Sequence, residues 1–477
     1  MGVGKTFKKF PKTFWVANTI ELFERWAWYG FYMLFANYLT GSTDMGGLEF
    51  SQTEKGHIMG MGTAFLYFLP ILTGSIADRY GYKKVLFISF IIYTTAFIAL
   101  PIFDSFWSVF AIFLYLAVGA ALFKPVISAT IAKTTTDETA SIGFGIFYMM
   151  VNVGAFIGPL VTLMFKNASY DFVFYISAAV VAFNFILLFF YKEPEREKST
   201  ESLLQSIKTI FINIGEVLKD KTFVIFLFIV AGFWTMYNQL FFTLPVFISQ
   251  WVDTSSIFDF FNQHLPFFSE NYGTADGQMA AEFITNADAM YIILFQIMVS
   301  SIIMRFRPLK SMTMGFLVCS IGMALTLVTQ NVMFTLGAIL IFALGEMAGS
   351  PKITEYIGRI APANKKALYM GYSFIPVFLG NLFAGFISGG VYQNLSDKST
   401  FVQQEVAKRG LEISENLSQN DYFNTAALEM GMTPRELTNY LWDVYNPSDM
   451  WYVILGLGLL SVIALYVYDK YLIRGEK

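Results

Sequence analysis

Charged side chains occur inside stretches of this sequence that are otherwise strongly apolar. Glu21, Glu24 and Arg25 recur at intervals of three and four residues in the first such stretch, and this spacing would place them on one face of a helix. Lys124 and Glu346 lie in two further apolar stretches. An ionisable side chain at the centre of a bilayer costs about 2.5–3.5 kcal/mol on insertion scales. If these stretches cross a membrane, their charges must face a polar interior and find partners there.

Each of these charged sets has two interpretations. The cluster in the first stretch can be a structural ion pair that locks two helices, or it can line a transport pathway. The second interpretation is favoured, because ionisable residues within membranes usually mark substrate or ion pathways. Lys352 and Glu355 stand three residues apart and can simply pair with each other, so both interpretations stay open for them. Glu346 has no local partner, which favours a functional role.

Composition indicates that the apolar stretches do belong to a membrane protein. The chain is 55% hydrophobic and 14% charged, whereas soluble domains are roughly 45–50% apolar and 25% charged. The net charge of -3 argues against a nucleic-acid partner. The one cysteine, Cys319, excludes an internal disulfide and a cysteine-based zinc site. Since the sequence also lacks a hydrolytic triad, a P-loop and a metal-ligand cluster, we expect no enzyme activity, no cofactor and no metal.

The apolar stretches predict an all-α membrane protein with about twelve transmembrane helices in two six-helix bundles. A spanning helix needs about 20 mostly apolar residues. Twelve candidates meet this: 14–39, 54–78, 83–101, 105–131, 141–165, 171–191, 222–249, 287–305, 310–330, 332–358, 366–391 and 449–471. Residues 1–191 and 222–477 would then be the N-terminal and C-terminal bundles, joined by a linker, 192–221, with an amphipathic stretch around Leu203–Leu218.

The distribution of basic residues predicts how the chain is oriented. Most Lys and Arg outside the spans fall in the segments assigned to one side, including Lys5, Lys8 and the linker. The positive-inside rule then places both termini in the cytoplasm of a multi-pass protein of the cell (inner) membrane. Six basic residues remain on the outer side: Lys55, Lys166, Lys398, Lys408, Arg409 and Arg435.

A polar insertion, residues 392–448, interrupts the C-terminal bundle before its last span. We expect it outside the membrane, with helical character, because Thr433-Pro434-Arg435-Glu436 is typical of a helix start. Its purpose does not follow from the sequence.

Charged and glycine residues between the second and third spans resemble a known signature. Asp78-Arg79-Tyr-Gly81-Tyr-Lys83-Lys84 is similar to the inner-loop motif of the major facilitator superfamily. Asp78, Arg79, Lys83 and Lys84 can clamp an inner gate through charged pairs, and the glycines permit close helix approach.

Further motifs resemble one branch of that superfamily, the proton-coupled oligopeptide transporters. Glu21-Leu-Phe-Glu24-Arg25 is similar to the E-x-x-E-R of that family's first helix. Gly119 to Pro125 matches its fourth helix, Phe147 to Ala155 its fifth, and Gly345 to Pro351 its tenth. The matches extend over both halves of the chain.

The resemblance implies a secondary transporter that moves di- or tripeptides with protons by alternating access, as a monomer in the lipid bilayer. It assigns proton coupling to Glu21, Glu24, Arg25, Lys124 and Glu346. It assigns substrate binding to Tyr29, Tyr67, Lys124, Asn152 and Glu346. We add Asn238 and Asp288 as candidate substrate-binding residues, and Asp288 also as a candidate for proton coupling.

Two of these positions depart from the family pattern. Asn238 stands where the family usually has a carboxylate, and Asn238 cannot titrate near neutral pH. Asp288 is a candidate replacement on the next helix. Two alternatives stay open: that Asn286 is the matching position, and that Asp288 is a solvated loop residue. Such a site can also suit an amino acid or other peptide-like metabolite with altered proton coupling. A non-transporting membrane sensor or scaffold is the alternative from another class, and the 392–448 insertion is its only hint.

Overall fold

The fold is that of an all-helical membrane protein, seen in a computed structural model. The structure describes residues 9–136, 138–166, 169–195, 203–362, 366–414 and 416–473. Lys5, Lys8 and part of the linker, which entered the orientation argument, lie outside the described residues. In the described ranges the secondary structure is helical, apart from isolated bridges between single residues.

The described residues of the N-terminal bundle form seven α-helices, and those of the linker form an eighth. They are α1 Lys12–Thr40, α2 Gln52–Phe68, α3 Pro70–Tyr80, α4 Tyr82–Ala99, α5 Phe106–Lys133, α6 Ala140–Lys166, α7 Tyr170–Phe190 and α8 Leu203–Val217. Helix α1 packs against α6 and α7, and α4 packs against α5 and α7.

The C-terminal bundle is divided into shorter helices. They are α9 Lys221–Tyr237, α10 Gln239–Phe242, α11 Leu244–Trp251, α12 Ser255–His264, α13 Pro266–Tyr272, α14 Ala281–Thr285, α15 Ala287–Ile303, α16 Pro308–Leu325, α17 Val332–Ile360, α18 Lys366–Gly371, α19 Phe374–Phe386, α20 Tyr392–Leu395, α21 Lys398–Arg409, α22 Gln419–Glu429, α23 Pro434–Tyr445 and α24 Met450–Val467. Helix α16 packs against α17 and α24, and α9 packs against α19.

The number of spans is close to the twelve expected. Ten helical segments of the described chain are long and apolar enough to cross a membrane, or eleven if the bent pair α2 and α3 is one span. Helix α1 is 29 residues long and carries Glu21, Glu24 and Arg25, whose charges lower its hydropathy. Counted as a span, α1 completes the two six-helix bundles.

Two spans are broken where the sequence analysis expected continuous helices. Helices α2 and α3 meet at an angle of 45°, because Pro70 has no N–H to continue the hydrogen bonding of α2. The seventh span, expected over 222–249, is divided at Asn238 and Thr243 into α9, α10 and α11. By contrast, Pro125 lies inside α5, which continues past it to Lys133.

The insertion and the linker lie at opposite ends of the bundles. We call residues 392–448 the cap, and the end that they contact the cap end; linker helix α8 contacts α3 at the other end. The helix start expected at Thr433 is confirmed, since Thr433 and Glu436 form a reciprocal capping box before α23. The amphipathic stretch of the linker is likewise a helix, α8.

The bundles meet most closely where α2 contacts α19. A Cβ added to Gly60 would lie 2.7 Å from the Gly385 Cα, and one added to Gly56 would lie 2.3 Å from the Gly385 carbonyl oxygen. Real Cβ atoms do not approach other atoms so closely, so this packing requires glycine on both helices.

Candidate functional site

Four charged side chains of the N-terminal bundle form one ion-pair network. Arg25 donates to both Glu24 oxygens at 2.6 and 2.7 Å, and its Nε lies 3.6 Å from Glu21 Oε1. Lys124 Nζ, from α5, donates to the same Glu21 oxygen at 3.1 Å. The two carboxylates are fully buried, whereas the Lys124 side chain is 33% exposed. Two cations therefore balance two buried anions, and Lys124 is the member that a ligand reaches most easily.

Neighbouring groups complete this network. Tyr93 donates its hydroxyl to Glu24 Oε1 at 2.5 Å, so both oxygens of Glu24 are engaged and Oε1 accepts two hydrogen bonds. Glu21 Oε2 has no hydrogen-bond partner among the described residues. Glu21 is thus the carboxylate whose interactions are less complete, and Lys124 is its link to a second helix.

A pair of carboxyl groups occupies the C-terminal bundle. Glu346, on α17, accepts a hydrogen bond from the Tyr237 hydroxyl at 2.8 Å, and Asp288, at the first turn of α15, is close enough to interact with it electrostatically. Within the described part of the chain, Glu346 Oε2, Asp288 Oδ1 and Asn238 Nδ2 lack hydrogen-bond partners. Asp288 is 6% exposed, so the alternative that it is a solvated loop residue is wrong.

The remaining predicted side chains take different positions around these two sets. Tyr29 stacks beneath the Arg25 guanidinium, 5.8 Å from it, and its ring lies 6.3 Å from that of Phe241 in the other bundle. Tyr67 is within electrostatic range of Arg25 and Tyr29. Asn152 donates to the Tyr148 carbonyl of its own helix at 2.8 Å. Tyr29 is therefore the predicted residue that most directly bridges the bundles.

The predicted gate motif lies at the linker end, at the α3–α4 turn, and comprises Asp78, Arg79, Lys83 and Lys84. Tyr82 donates its hydroxyl to Asp78 at 3.1 Å and its N–H to Glu193 at 3.0 Å. Lys83 Nζ donates to the Tyr191 carbonyl at 3.4 Å, and the Arg79 guanidinium lies over the Tyr80 ring. These contacts join the turn to the chain segment that follows α7, and a gating role stays a prediction.

Lys352 and Glu355 pair as the structural interpretation predicts. Lys352 Nζ donates to Glu355 at 2.6 Å, and Arg359 donates to the other oxygen of Glu355 at 2.5 Å. This local set on α17 is separate from Glu346.

A buried ion pair between the bundles was missed by the sequence analysis. Glu282, on α14, is fully buried and accepts two bonds from Lys166 at 3.0 and 3.1 Å. Asn37, on α1, donates to the same carboxylate at 2.8 Å. The orientation argument assigned Lys166 to an outer loop, but it is the last residue of α6. Nothing in the local sequence connects it with Glu282, which is 116 residues away.

Lys55 differs from expectation in the same way. It was counted with the outer-loop residues, yet it lies in α2 with no exposed surface. Its ammonium donates to Gln52 at 2.8 Å and to the Phe242 carbonyl of the other bundle at 2.9 Å. In the sequence, the only sign that Lys55 is buried was its position close to the start of a span. Together with Glu282, Lys55 holds the two bundles together at the cap end.

Comparison with known proteins identifies the family. The model of the Major Facilitator Superfamily matches residues 19–384. This chain belongs to the major facilitator superfamily. It is therefore a multi-pass membrane transporter, and neither that family nor its fold is enzymatic.

The relatives of this transporter have names that record different transported substances. A Na(+), Li(+), K(+)/H(+) antiporter of Planococcus maritimus is 23% identical over 355 residues, which cover 70% of this chain and 81% of the relative. A di-/tripeptide transporter of Lactococcus lactis is 29% identical over 162 residues, 33% of each chain. The crystal structure of a POT family transporter in complex with 5-aminolevulinic acid superposes with a TM-score of 0.69 at 16% identity, covering 98% of this chain and 100% of that one. The chain thus has the same fold as this POT family transporter.

Proposed function

We propose that this transporter is a proton-coupled symporter of short peptides. One observation carries the proposal: a cationic group that is partly accessible, Lys124, lies in one bundle, and a carboxyl pair, Glu346 and Asp288, lies in the other. A zwitterionic peptide needs a cationic and an anionic pole, and Tyr29 occupies the boundary between them. The likeness in fold to a POT family transporter supports this proposal.

The ion-pair network suggests how protons are coupled to the substrate. Lys124 is bound to Glu21 in the empty protein. Protonation of Glu21 removes its charge, which releases the ammonium of Lys124 for the carboxylate of a peptide. Arg25 stays paired with Glu24, because that carboxylate also accepts a bond from Tyr93. Substrate carboxylate and proton are then held together, as symport requires.

The C-terminal bundle receives the peptide amino group in this scheme. Glu346 and Asp288 each have an unsatisfied oxygen among the described residues, and two like charges in close proximity favour binding of an ammonium or a proton. Asp288 thereby takes the place of the carboxylate that Asn238 lacks. The bundles rock about this site, as in other transporters built from two related halves.

We further propose that the cap end faces outward, with both termini in the cytoplasm of the inner membrane. The basic residues of the linker and the α3–α4 turn support that orientation. The described structure is then closed to the outside, since Lys55 and Glu282 join the bundles at the cap end.

A binding competition tests the two poles. Dialanine should displace a labelled dipeptide from the purified transporter, whereas dialanine with an acetylated amino end or an amidated carboxyl end should each bind at least tenfold more weakly. Lys124→Ala should lose the discrimination against the amide, and Glu346→Gln the discrimination against the acetylated peptide. Equal binding of all three compounds would contradict this placement of the poles.

A second candidate is a carrier of an amino acid or other peptide-like metabolite with altered proton coupling. The observation that favours it is that Asn238 stands where the resemblance implies a carboxylate, and that its side-chain nitrogen lacks a hydrogen-bond partner among the described residues; both alter the anionic side of the site. The same competition distinguishes the two, because a single amino acid would then displace the label better than dialanine.

A further inference from the structure

One carboxylate of the cap contacts both bundles at once. Asp397 Oδ1 accepts a hydrogen bond from Gln52 Nε2 of α2 at 2.9 Å and another from Gln250 Nε2 of α11 at 2.9 Å. Its other oxygen accepts from the N–H and hydroxyl of Thr400 and so caps helix α21. Asp397 is 5% exposed. A buried carboxylate with four donors is a strong and specific junction.

The junction continues to the buried Lys55. Gln52 accepts from Lys55 through its oxygen while it donates to Asp397 through its nitrogen. The Lys55 ammonium also lies 5.2 Å from the centre of the Tyr392 ring of the cap. Asp397 is the carboxylate whose charge acts on Lys55. A buried ammonium is unfavourable without a counter-charge. The cap supplies that counter-charge to Lys55 through Asp397.

The cap contacts the N-terminal bundle through polar groups. The Gln419 N–H donates to Glu49 at 2.7 Å, and Asn420 donates its side-chain N–H to Asp44 at 3.1 Å. Thr53 donates its hydroxyl to Gln393 at 2.6 Å. Beside these contacts lies a cleft of about 270 Å³ whose lining is polar apart from Phe50. Water can replace such hydrogen bonds, so this boundary can separate without exposing apolar core.

The cap contacts the C-terminal bundle through aromatic packing. The Trp251 ring lies 6.2 Å from that of Phe401 and 5.8 Å from that of Trp442, and its Nε1 donates to the Ser396 carbonyl at 2.8 Å. Separation here would expose large rings to water, which is more costly than breaking solvated hydrogen bonds. The cap is therefore fixed on the C-terminal bundle and attached reversibly to the other.

We propose that the cap is a latch of the transport cycle, with Asp397 as the positioning residue that joins the two bundles when the cap end is closed. Opening of the cap end breaks the Gln52–Asp397 bond and the polar contacts around it, while the cap moves with the C-terminal bundle. Lys55 then loses its counter-charge and becomes hydrated. The latch thus sets the balance between the closed and open states of the cap end.

Distance measurements on the full-length protein test this proposal. Spin labels at Met45→Cys and Met333→Cys, exposed residues of opposite bundles at the cap end, report its opening in nanodiscs, in a Cys319→Ala background. Asp397→Ser keeps an N-cap oxygen for α21 but cannot reach Gln52 or Gln250. We expect the ratio of long to short distances to rise at least about tenfold, equivalent to about 1.4 kcal/mol.

Gln52→Leu breaks the same junction from the N-terminal bundle and leaves the α21 cap intact, so it should shift the ratio in the same direction. Arg435→Ala is the matched control, because Arg435 binds Asp253 at 2.5 Å, a cap contact that stays within the C-terminal bundle. Melting temperatures confirm that each variant is folded. An unchanged distance distribution in both junction variants, or an equal shift in Arg435→Ala, would overturn the latch.

Discussion

The pair formed by Glu282 and Lys166 gives the sharpest prediction about how the bundles are held together. Glu282→Gln keeps the size of the side chain and an acceptor for Asn37, but it removes the charge that faces the Lys166 ammonium. Because Lys166 has a side chain only 16% exposed, the variant leaves a largely uncompensated charge at the closed cap end. In an open state Lys166 would be hydrated, so the cost falls on the closed state alone.

The size of this effect follows from the burial of the pair. Removing one partner of a buried ion pair costs about 3–5 kcal/mol, and the residual exposure of Lys166 places the expected value near the lower limit, about 3 kcal/mol. Since 1.4 kcal/mol corresponds to tenfold, the ratio of open to closed cap ends should rise roughly hundredfold. Spin-label distances between Met45→Cys and Met333→Cys measure that ratio directly.

Two further variants decide whether the reasoning holds. Arg409→Met breaks an ion pair with Glu405 at 2.9 Å, which lies within the cap and joins no bundles, so it should leave the ratio unchanged. The charge exchange Glu282→Lys with Lys166→Glu should restore closure in part. If Glu282→Gln remains as closed as the unaltered protein, the pair contributes nothing to the closed state and the argument fails.

Three other predictions concern coupling and pH. Lys124→Ala should abolish gradient-driven uptake of a labelled dipeptide while the melting temperature stays within a few degrees, because it removes the cation released from Glu21; normal uptake would refute the assignment. Asp288→Asn should reduce proton-driven uptake but spare substrate counterflow, which needs no net proton movement, and an unchanged pH dependence would exclude Asp288 from coupling. Burial alone would raise the pKa of Glu49, but hydrogen bonds from the Gln419 N–H and from Thr43 lower it below its usual value. Attachment of the cap to the N-terminal bundle should therefore be complete above about pH 4.3, the ordinary Glu value, and weaken as the pH falls below it. Spin-label distances from cap to bundle in Glu49→Gln should depend less on pH; the remaining dependence is expected from Asp44, where burial raises the pKa but hydrogen bonds from Ser42 and Asn420 lower it below its usual value.

The fold was largely predictable because its signals are local. Twelve apolar stretches, the insertion at 392–448 and the helix start at Thr433 each follow from residues close together in the chain. The break at Pro70 could also be predicted from the sequence, since proline ends the hydrogen bonding of the preceding turn. The division of the seventh span at Thr243 has a comparable signal in Pro245, the second residue of α11. The division at Asn238 has none, because asparagine does not prevent a helix.

The site was predictable only where residues share one helix or one motif. The spacing of Glu21, Glu24 and Arg25 implied a common face, and the structure adds that Lys124 bonds to Glu21 rather than to Glu24. Contacts between distant segments were not accessible. Lys55 and Lys166 looked like outer-loop cations by position, because their partners come from the other bundle. For the same reason, the link that Asp397 makes from the cap to Gln52 and Gln250 did not follow from the sequence.

Gradient-driven uptake in proteoliposomes tests the central proposal most directly. Vesicles that contain the purified transporter are given a labelled dipeptide outside, with the external medium more acidic than the lumen. Proton-coupled symport predicts accumulation of the dipeptide above its external concentration, collapse of that accumulation when a protonophore is added, and none with Lys124→Ala. Accumulation that is absent, or that is the same with and without the proton gradient, would contradict the account.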